Sequence, residues 1–109
     1  MTAKREVKEG KQYQGIEEEI AYTITTTPWG SSPTSITAKV FSLPDNGVDS
    51  DIVDTTTDNM PSGSPSASGD VITLPVLKSL VLDTMYRVEV KFTCSGNIFE
   101  AYAYVKAER

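Results

Sequence analysis

The clearest pattern in the chain is a strict alternation of apolar and polar positions from Tyr86 to Thr93. One face carries a tyrosine, two valines and a phenylalanine, while the other carries three charged residues and a threonine. A period of two residues is typical of a β-strand with one face on a core and the other in water. With the leucine that precedes this strand, the predicted core residues are Leu80, Tyr86, Val88, Val90 and Phe92.

The turn before this strand is a second signal. Leu80 lies six residues ahead of Tyr86, across a polar turn centred on Asp83 and Thr84. Many two-sheet β-sandwiches enter a central strand in this way, and the tyrosine hydroxyl then hydrogen-bonds back to the turn, an arrangement called the tyrosine corner. The alternative is an ordinary buried tyrosine at the start of an ordinary strand.

Shorter alternating segments recur along the rest of the chain. Gly, Pro and Asn separate them, and Ser95-Gly96-Asn97 predicts a tight hairpin. Residues 76–82 are apolar enough to be buried, and we favour extended chain there over one helical turn. About seven short strands favour an all-β antiparallel sandwich over a barrel. Besides the strand from Tyr86, the predicted strands are 11–16, 19–27, 35–43, 52–53, 70–74 and 98–106.

The length of the chain, 109 residues, is that of a single domain. Residues 1–10 lack apolar periodicity, so we expect a flexible N-terminal arm followed by one sandwich domain over 11–109. Residues 58–69 combine prolines and glycines with serines and have too little apolar surface to offset the entropy of ordering. We therefore predict a long surface loop at 58–69.

Composition and charge narrow the function classes. No apolar run approaches the ~20 residues of a membrane helix, and no apolar stretch follows Lys4 and Arg5 as a secretory signal requires. We expect a protein that is cytoplasmic at synthesis and has no membrane partner. The formal charge is −5, and the acidic residues concentrate in 17–70, where they repel phosphate backbones. Nucleic acid is therefore not the expected partner.

Candidate chemistry is sparse. The chain has no histidine, the commonest general base and metal ligand at neutral pH. The chain has one cysteine, Cys94, so it cannot form an internal disulfide. Cys94 lies two residues after Phe92 and therefore on the same face of the strand, so we expect it to be buried as a small apolar residue. The sequence has no phosphate-binding glycine loop and no nucleophile elbow. We expect no enzymatic activity, no catalytic residue and no cofactor.

A group of aspartates is the one set with metal-binding character, because calcium takes six to eight oxygen ligands. Their spacing lacks the order of an EF-hand loop. We favour a solvated, charged sheet edge that holds no metal, and keep a calcium site as the alternative. The aspartates are Asp45, Asp49, Asp51, Asp54 and Asp58.

A candidate interface follows from the alternation of the last strand. If Phe99, Ala101, Ala103 and Val105 point inward, the neighbouring aromatic and apolar side chains lie on the outer face of the sheet. Tyrosines on a charged face are amphipathic anchors of the kind enriched in interfaces. The alternative is cross-strand packing, in which tyrosines cover the stems of Arg87 and Lys91. The candidate interface residues on this face are Phe41, Ile98, Tyr102 and Tyr104.

Trp29, the only tryptophan, adds a second candidate. It lies between Pro28 and Gly30 on a predicted loop. A loop aromatic at the end of a sandwich is either a binding anchor or a lid on the core.

Two blocks of the sequence carry a resemblance to known proteins. The first runs through Gln14-Gly15, EIAYT (19–23) and WGSSP (29–33); the second through GDVITLP (69–75), YRVEVKF (86–92) and Gly96-Asn97. Together they resemble a group of small proteins of tailed phages and prophages, often encoded among virion structural genes. The second block is also similar to the E–F region of fibronectin type III and other immunoglobulin-like modules. Leu82-Asp83 replaces the Pro-Gly common in the fibronectin turn.

The resemblance implies an immunoglobulin-like or fibronectin type III-like sandwich. It implies a non-enzymatic, virion-associated structural or accessory protein that contacts other virion proteins of head or tail, with homo-oligomerisation as a further option. The alternative function is a carbohydrate- or cell-surface-binding module that uses Trp29. Fold alone does not fix the role.

Overall fold

The structure, a computed structural model, describes residues 12–27, 30–43, 53–61 and 64–109. Almost all its regular elements are strands, as the dominance of β-branched residues leads one to expect. In chain order they are β1 (Gln12–Gly15), β2 (Thr23–Thr25), β3 (Thr34–Ser42), β4 (Val53–Asp54), α1 (Thr56–Asn59), β5 (Ser66–Ser68), β6 (Val71–Thr73), β7 (Met85–Cys94) and β8 (Asn97–Glu108).

The strands form two sheets that share one core. The larger sheet has the order β1-β8-β7-β3-β4, and the smaller has the order β2-β6-β5. Ile24 and Ile72 of the smaller sheet belong to the same apolar cluster as Val40, Val90 and Phe92 of the larger. The predicted all-β, two-sheet, sandwich-like architecture is therefore confirmed.

The hairpin of β7 and β8 is the longest pairing in the fold. It runs in continuous antiparallel register from Met85 opposite Lys106 to Cys94 opposite Asn97. The two turn residues, Ser95 and Gly96, have φ angles of 51° and 80°, as the favoured two-residue hairpin turn requires. The register points the alternating apolar residues of β7 into the core, where none is more than 3% exposed.

The tyrosine corner is present at the entry to β7. The backbone N–H of Val81 donates a 2.8 Å hydrogen bond to the hydroxyl of Tyr86, which is itself buried. Leu80 and Leu77 are buried beside it, but Val76 and Val81 are exposed. The segment 76–82, which we expected to be buried extended chain, forms no helix and is buried only in part. Leu77 and Leu80, three residues apart, face the core on either side of Ser79, whose φ is 59°, so the segment is not regularly extended.

We predicted a wholly antiparallel sandwich, but the larger sheet contains one parallel pair of strands. β1 runs parallel to β8, with Gln12 opposite Val105 and Gly15 opposite Glu108. The alternation of a strand is the same in either orientation, and a pairing between the two ends of the chain leaves no local signal in the sequence.

The predicted loop at 58–69 was partly wrong. The helix α1 ends at Asn59, Met60 is buried in the core, and Ser66–Ser68 pairs with β6 as strand β5. The amide of Asn59 donates hydrogen bonds to the carbonyl oxygens of Lys78 and Ser79, at 3.1 Å each. These contacts with distant residues order a segment whose own composition favours a loop. The predicted arm, residues 1–10, lies outside the described residues.

Candidate functional site

Cross-strand register sets which side chains share the outer face of the larger sheet. Arg87 on β7 lies opposite Tyr104 on β8 and opposite Phe41 on β3. One step along, Glu89 lies opposite Tyr102. The structure therefore brings three of the predicted interface residues, Phe41, Tyr102 and Tyr104, into two adjacent rows around Arg87. We call Arg87, Glu89, Tyr102 and Tyr104 the outer-face cluster.

The outer-face cluster is held together by contacts among its own side chains. The guanidinium carbon of Arg87 lies 4.2 Å from the ring centroid of Tyr102, within the range of a cation–π interaction. The rings of Tyr102 and Tyr104 meet edge to face, with centroids 5.5 Å apart and planes at 74°. Arg87 Nε lies 2.9 Å from Glu89 Oε2. These contacts fix the side chains before any partner arrives.

The ion pair in this cluster is well shielded from water. The side chains of Arg87 and Glu89 are 18% and 23% exposed. Nε of Arg87 makes no hydrogen bond within the described part of the chain, so its contact with Glu89 is electrostatic. The cross-strand packing that we set against an interface is therefore present for Tyr102 and Arg87, and it leaves both tyrosines half-buried.

Ile98 lies at one end of the same face. It pairs with Thr93 beside the hairpin turn and is 66% exposed. Glu100 and Lys91 form the row between Ile98 and the outer-face cluster. Ile98 is thus outward, as predicted, but separate from the two tyrosines.

A shallow depression lies next to the cluster, across β3, β7 and β8. Its volume is about 190 Å³, below the roughly 300–1,000 Å³ of small-molecule sites. Two lysines and two glutamates line it within the described part of the chain, so these charges balance. These properties fit contact with another macromolecule better than a small ligand. The lining residues are Thr37, Lys39, Phe41, Glu89, Val90, Lys91 and Glu100.

Trp29 lies outside the described residues, so its role as anchor or lid stays a prediction. The residue that follows it, Gly30, lies where a side chain would not fit. A Cβ on Gly30 would lie 2.7 Å from Cβ of Cys94, closer than carbon atoms approach without a bond. The hydroxyl of Thr26 donates a 3.0 Å hydrogen bond to the carbonyl oxygen of Gly30. The close approach and the hydrogen bond together position the backbone of Gly30.

Cys94 is buried, as predicted, at 1% exposure. Burial raises the pKa of its thiol, and the negative charge of Asp70 raises it further. Because the reactive species of a cysteine is the thiolate, these effects make Cys94 a poor nucleophile.

The acidic stretch is described only in part. Asp54 Oδ1 accepts hydrogen bonds from the hydroxyl of Thr56 at 2.6 Å and from its backbone N–H at 2.9 Å. These bonds to Thr56, the hydroxyl first, hold the pKa of Asp54 below its usual range. Asp45, Asp49 and Asp51 lie outside the described residues, so the calcium alternative stays a hypothesis. No group of three potential metal ligands occurs in the described ranges.

A buried polar cluster around Gln14 was missed by sequence reasoning. Its amide donates to the carbonyl oxygens of Leu77 at 2.8 Å and Glu18 at 2.9 Å, and accepts from the hydroxyl of Tyr22 at 2.9 Å. Gln14 is fully buried and ties β1 to Tyr22, which precedes β2, and to Leu77, which follows β6. Burial, with a contribution from Glu18, raises the pKa of Tyr22. The sequence shows only a polar residue in a short strand at the edge of the sheet, and this gives no indication of these contacts.

Comparisons with known proteins do not assign the chain to a family. No protein-family model matches the chain, and a search of the curated proteins finds no match. No helix in the described ranges is long and apolar enough to cross a membrane.

Proposed function

We propose that the chain is an immunoglobulin-like sandwich. Immunoglobulin domains place strands A, B, E and D in one sheet and C, F and G in the other, and variable-type domains add C′ beside C. The observed order β2-β6-β5 corresponds to B-E-D. In the larger sheet, with the order β1-β8-β7-β3-β4, the last four strands correspond to G-F-C-C′, and β1 lies beside G instead of in the sheet that contains B. The tyrosine corner at Tyr86 then lies at the start of strand F, where these domains carry it. The absence of a second cysteine means that no disulfide joins the sheets.

We further propose that the protein is a non-enzymatic structural or accessory protein of a tailed phage or prophage virion. The resemblance of the two sequence blocks supports this assignment, and the outer-face cluster supplies the means of contact. The observation that carries the proposal is the packing of Arg87 over the ring of Tyr102, which meets the ring of Tyr104 edge to face. Tyrosine and arginine dominate the residues that contribute most binding energy in interfaces.

The fixed arrangement of the cluster favours binding. Ordering a flexible side chain at an interface costs about 0.5–1.5 kcal/mol, and here the rings and the guanidinium are held in place beforehand. Glu89 offsets the charge of Arg87, which lowers the cost of removing water from that group. A partner with apolar and neutral polar groups opposite the two tyrosines is the expected match.

The test is a double variant, Tyr102→Ser/Tyr104→Ser, introduced into the phage or prophage genome that encodes the chain. We expect its amount in purified particles to fall at least tenfold, while the isolated protein keeps a β-rich circular-dichroism spectrum. The matched control is Val76→Ser/Val81→Ser, which removes two exposed apolar side chains that lie on neither sheet. If the double variant melts at a lower temperature but enters particles like the parent, this face does not bind the partner.

A further inference from the structure

A second possible site lies on the opposite side of the larger sheet, between the two sheets. A cavity of about 370 Å³ opens there beside β2. Among the described residues no charged side chain lines it, and its apolar walls include residues of both sheets. The aliphatic residues that line it are Ala21, Ile24, Leu74, Val88, Ala103 and Val105.

The rim of this cavity is the free edge of β2. Leu74 N–H donates to the carbonyl oxygen of Tyr22, and Thr26 N–H donates to that of Asp70. Hydrogen-bonded and non-bonded pairs alternate in an antiparallel ladder, so the N–H and C=O groups of Thr23 and Thr25 point away from β6. Both residues line the cavity. Among the described residues, β2 is the edge strand of its sheet, and no strand pairs with this side.

We propose that this slot binds one extended strand of another protein, added to the edge of β2. Main-chain groups on one edge repeat every second residue, roughly 7 Å apart, and a second extended backbone matches that spacing. Strand addition uses main-chain hydrogen bonds for affinity and pockets for alternate side chains for specificity. The slot supplies both features, and it does so independently of the outer-face cluster.

The lining defines the chemistry of the strand. A cavity of about 370 Å³ is at the small end of binding sites and accepts a few small apolar side chains, such as alternate valines. Because none of the described residues that line the cavity is charged, a charged residue of the partner would lose its hydration without gaining an opposite charge from them. The expected partner is therefore an uncharged segment with apolar residues at every second position.

The probe is a synthetic seven-residue peptide of alternating threonine and valine, with blocked ends and two lysines after it for solubility. We expect it to slow hydrogen exchange of the Thr23 and Thr25 amides of the full chain, measured by NMR. A peptide with aspartate in place of valine should leave both amides unchanged.

Two variants locate the site. Thr23→Pro removes an N–H that faces the slot without removing a bond to β6, and we expect it to weaken peptide binding about tenfold. Thr23→Ala keeps the N–H and is the matched control. Ala103→Leu fills the slot from its wall and should also weaken binding, with the β-rich spectrum retained.

Three results would overturn the proposal. One is exchange at Thr23 and Thr25 that stays fast at saturating peptide. Another is peptide binding that Thr23→Pro and Ala103→Leu leave unchanged, because the peptide then binds elsewhere. The third is slow exchange of both amides without peptide, because the slot is then already filled by the chain itself or by a second copy.

Discussion

The hydroxyl of Tyr86 offers the sharpest test of how the fold is held together. Tyr86→Phe removes one oxygen atom and leaves the buried ring in place. The lost contact is the 2.8 Å hydrogen bond from the backbone N–H of Val81. That bond joins the turn before β7 to the strand itself, so it fixes the path by which the chain enters the centre of the larger sheet.

The size of the effect follows from the surroundings of the bond. A hydrogen bond within a protein contributes about 0.5–1.5 kcal/mol net, and a donor left without a partner in the interior costs about 1–3 kcal/mol. The side chain of Val81 is 64% exposed, so water can reach its N–H once the hydroxyl is gone. We therefore expect a loss of about 1 kcal/mol, which corresponds to a melting temperature about 4 °C lower for a domain of this size.

The assay is urea unfolding followed by tryptophan fluorescence and circular dichroism. We expect a lower midpoint with an unchanged slope, because the surface exposed on unfolding is the same. Tyr104→Phe is the matched control, since the hydroxyl of Tyr104 makes no hydrogen bond to any described residue, and its midpoint should not move. If Tyr86→Phe also leaves the midpoint unchanged, the corner bond does not stabilise this fold.

Three further predictions concern other parts of the structure. Gln14→Ala should cost about 2–4 kcal/mol in denaturant unfolding, because it removes one buried and two partly buried hydrogen bonds of a buried side chain; Gln12→Ala, on the same strand, should cost less than half as much, and equal costs would contradict the role of the cluster. The pKa of Asp54 is lower in the folded state, so its contribution to stability is present above pH ~4 and is lost as pH falls through the folded pKa. Asp54→Asn should therefore flatten the acid limb of a stability-against-pH curve, and an acid limb parallel to that of the parent would refute this. Gly30→Ala forces a Cβ to within 2.7 Å of Cys94 Cβ and should cost about 1–3 kcal/mol; an unchanged melting temperature would show that the segment shifts freely.

The elements that the sequence predicts well are those set by local pattern. The strand from Tyr86 and the hairpin at Ser95-Gly96 follow from alternation and from residues that accept positive φ. The same alternation placed Tyr102 and Tyr104 on one face, with the register to β7 fixed by the two-residue turn, whereas the position of Phe41 depends on the pairing of β3 with β7. Packing of a tyrosine on Arg87 was predicted only as the alternative to an interface, and its geometry depends on side-chain conformation.

The elements that the sequence does not predict depend on distant partners. Strand β5 reads Ser-Ala-Ser, a sequence with no apolar alternation, and it is a strand because it pairs with β6. Gln14 is buried where Leu77, which follows β6, and Tyr22, which precedes β2, supply its hydrogen-bond partners. The slot beside β2 arises from the separation of the two sheets, which no local pattern encodes.

The most direct test of the proposed function is hydroxyl-radical footprinting of the protein, free in solution and in purified particles of its phage. If the outer-face cluster contacts a virion protein, oxidation of Tyr102 and Tyr104 should fall several-fold in the particle. Oxidation of Val81, which is exposed on the turn before β7 and belongs to neither sheet, should stay the same. Equal oxidation of both tyrosines in the two states, or particles that lack the protein, would contradict the proposal.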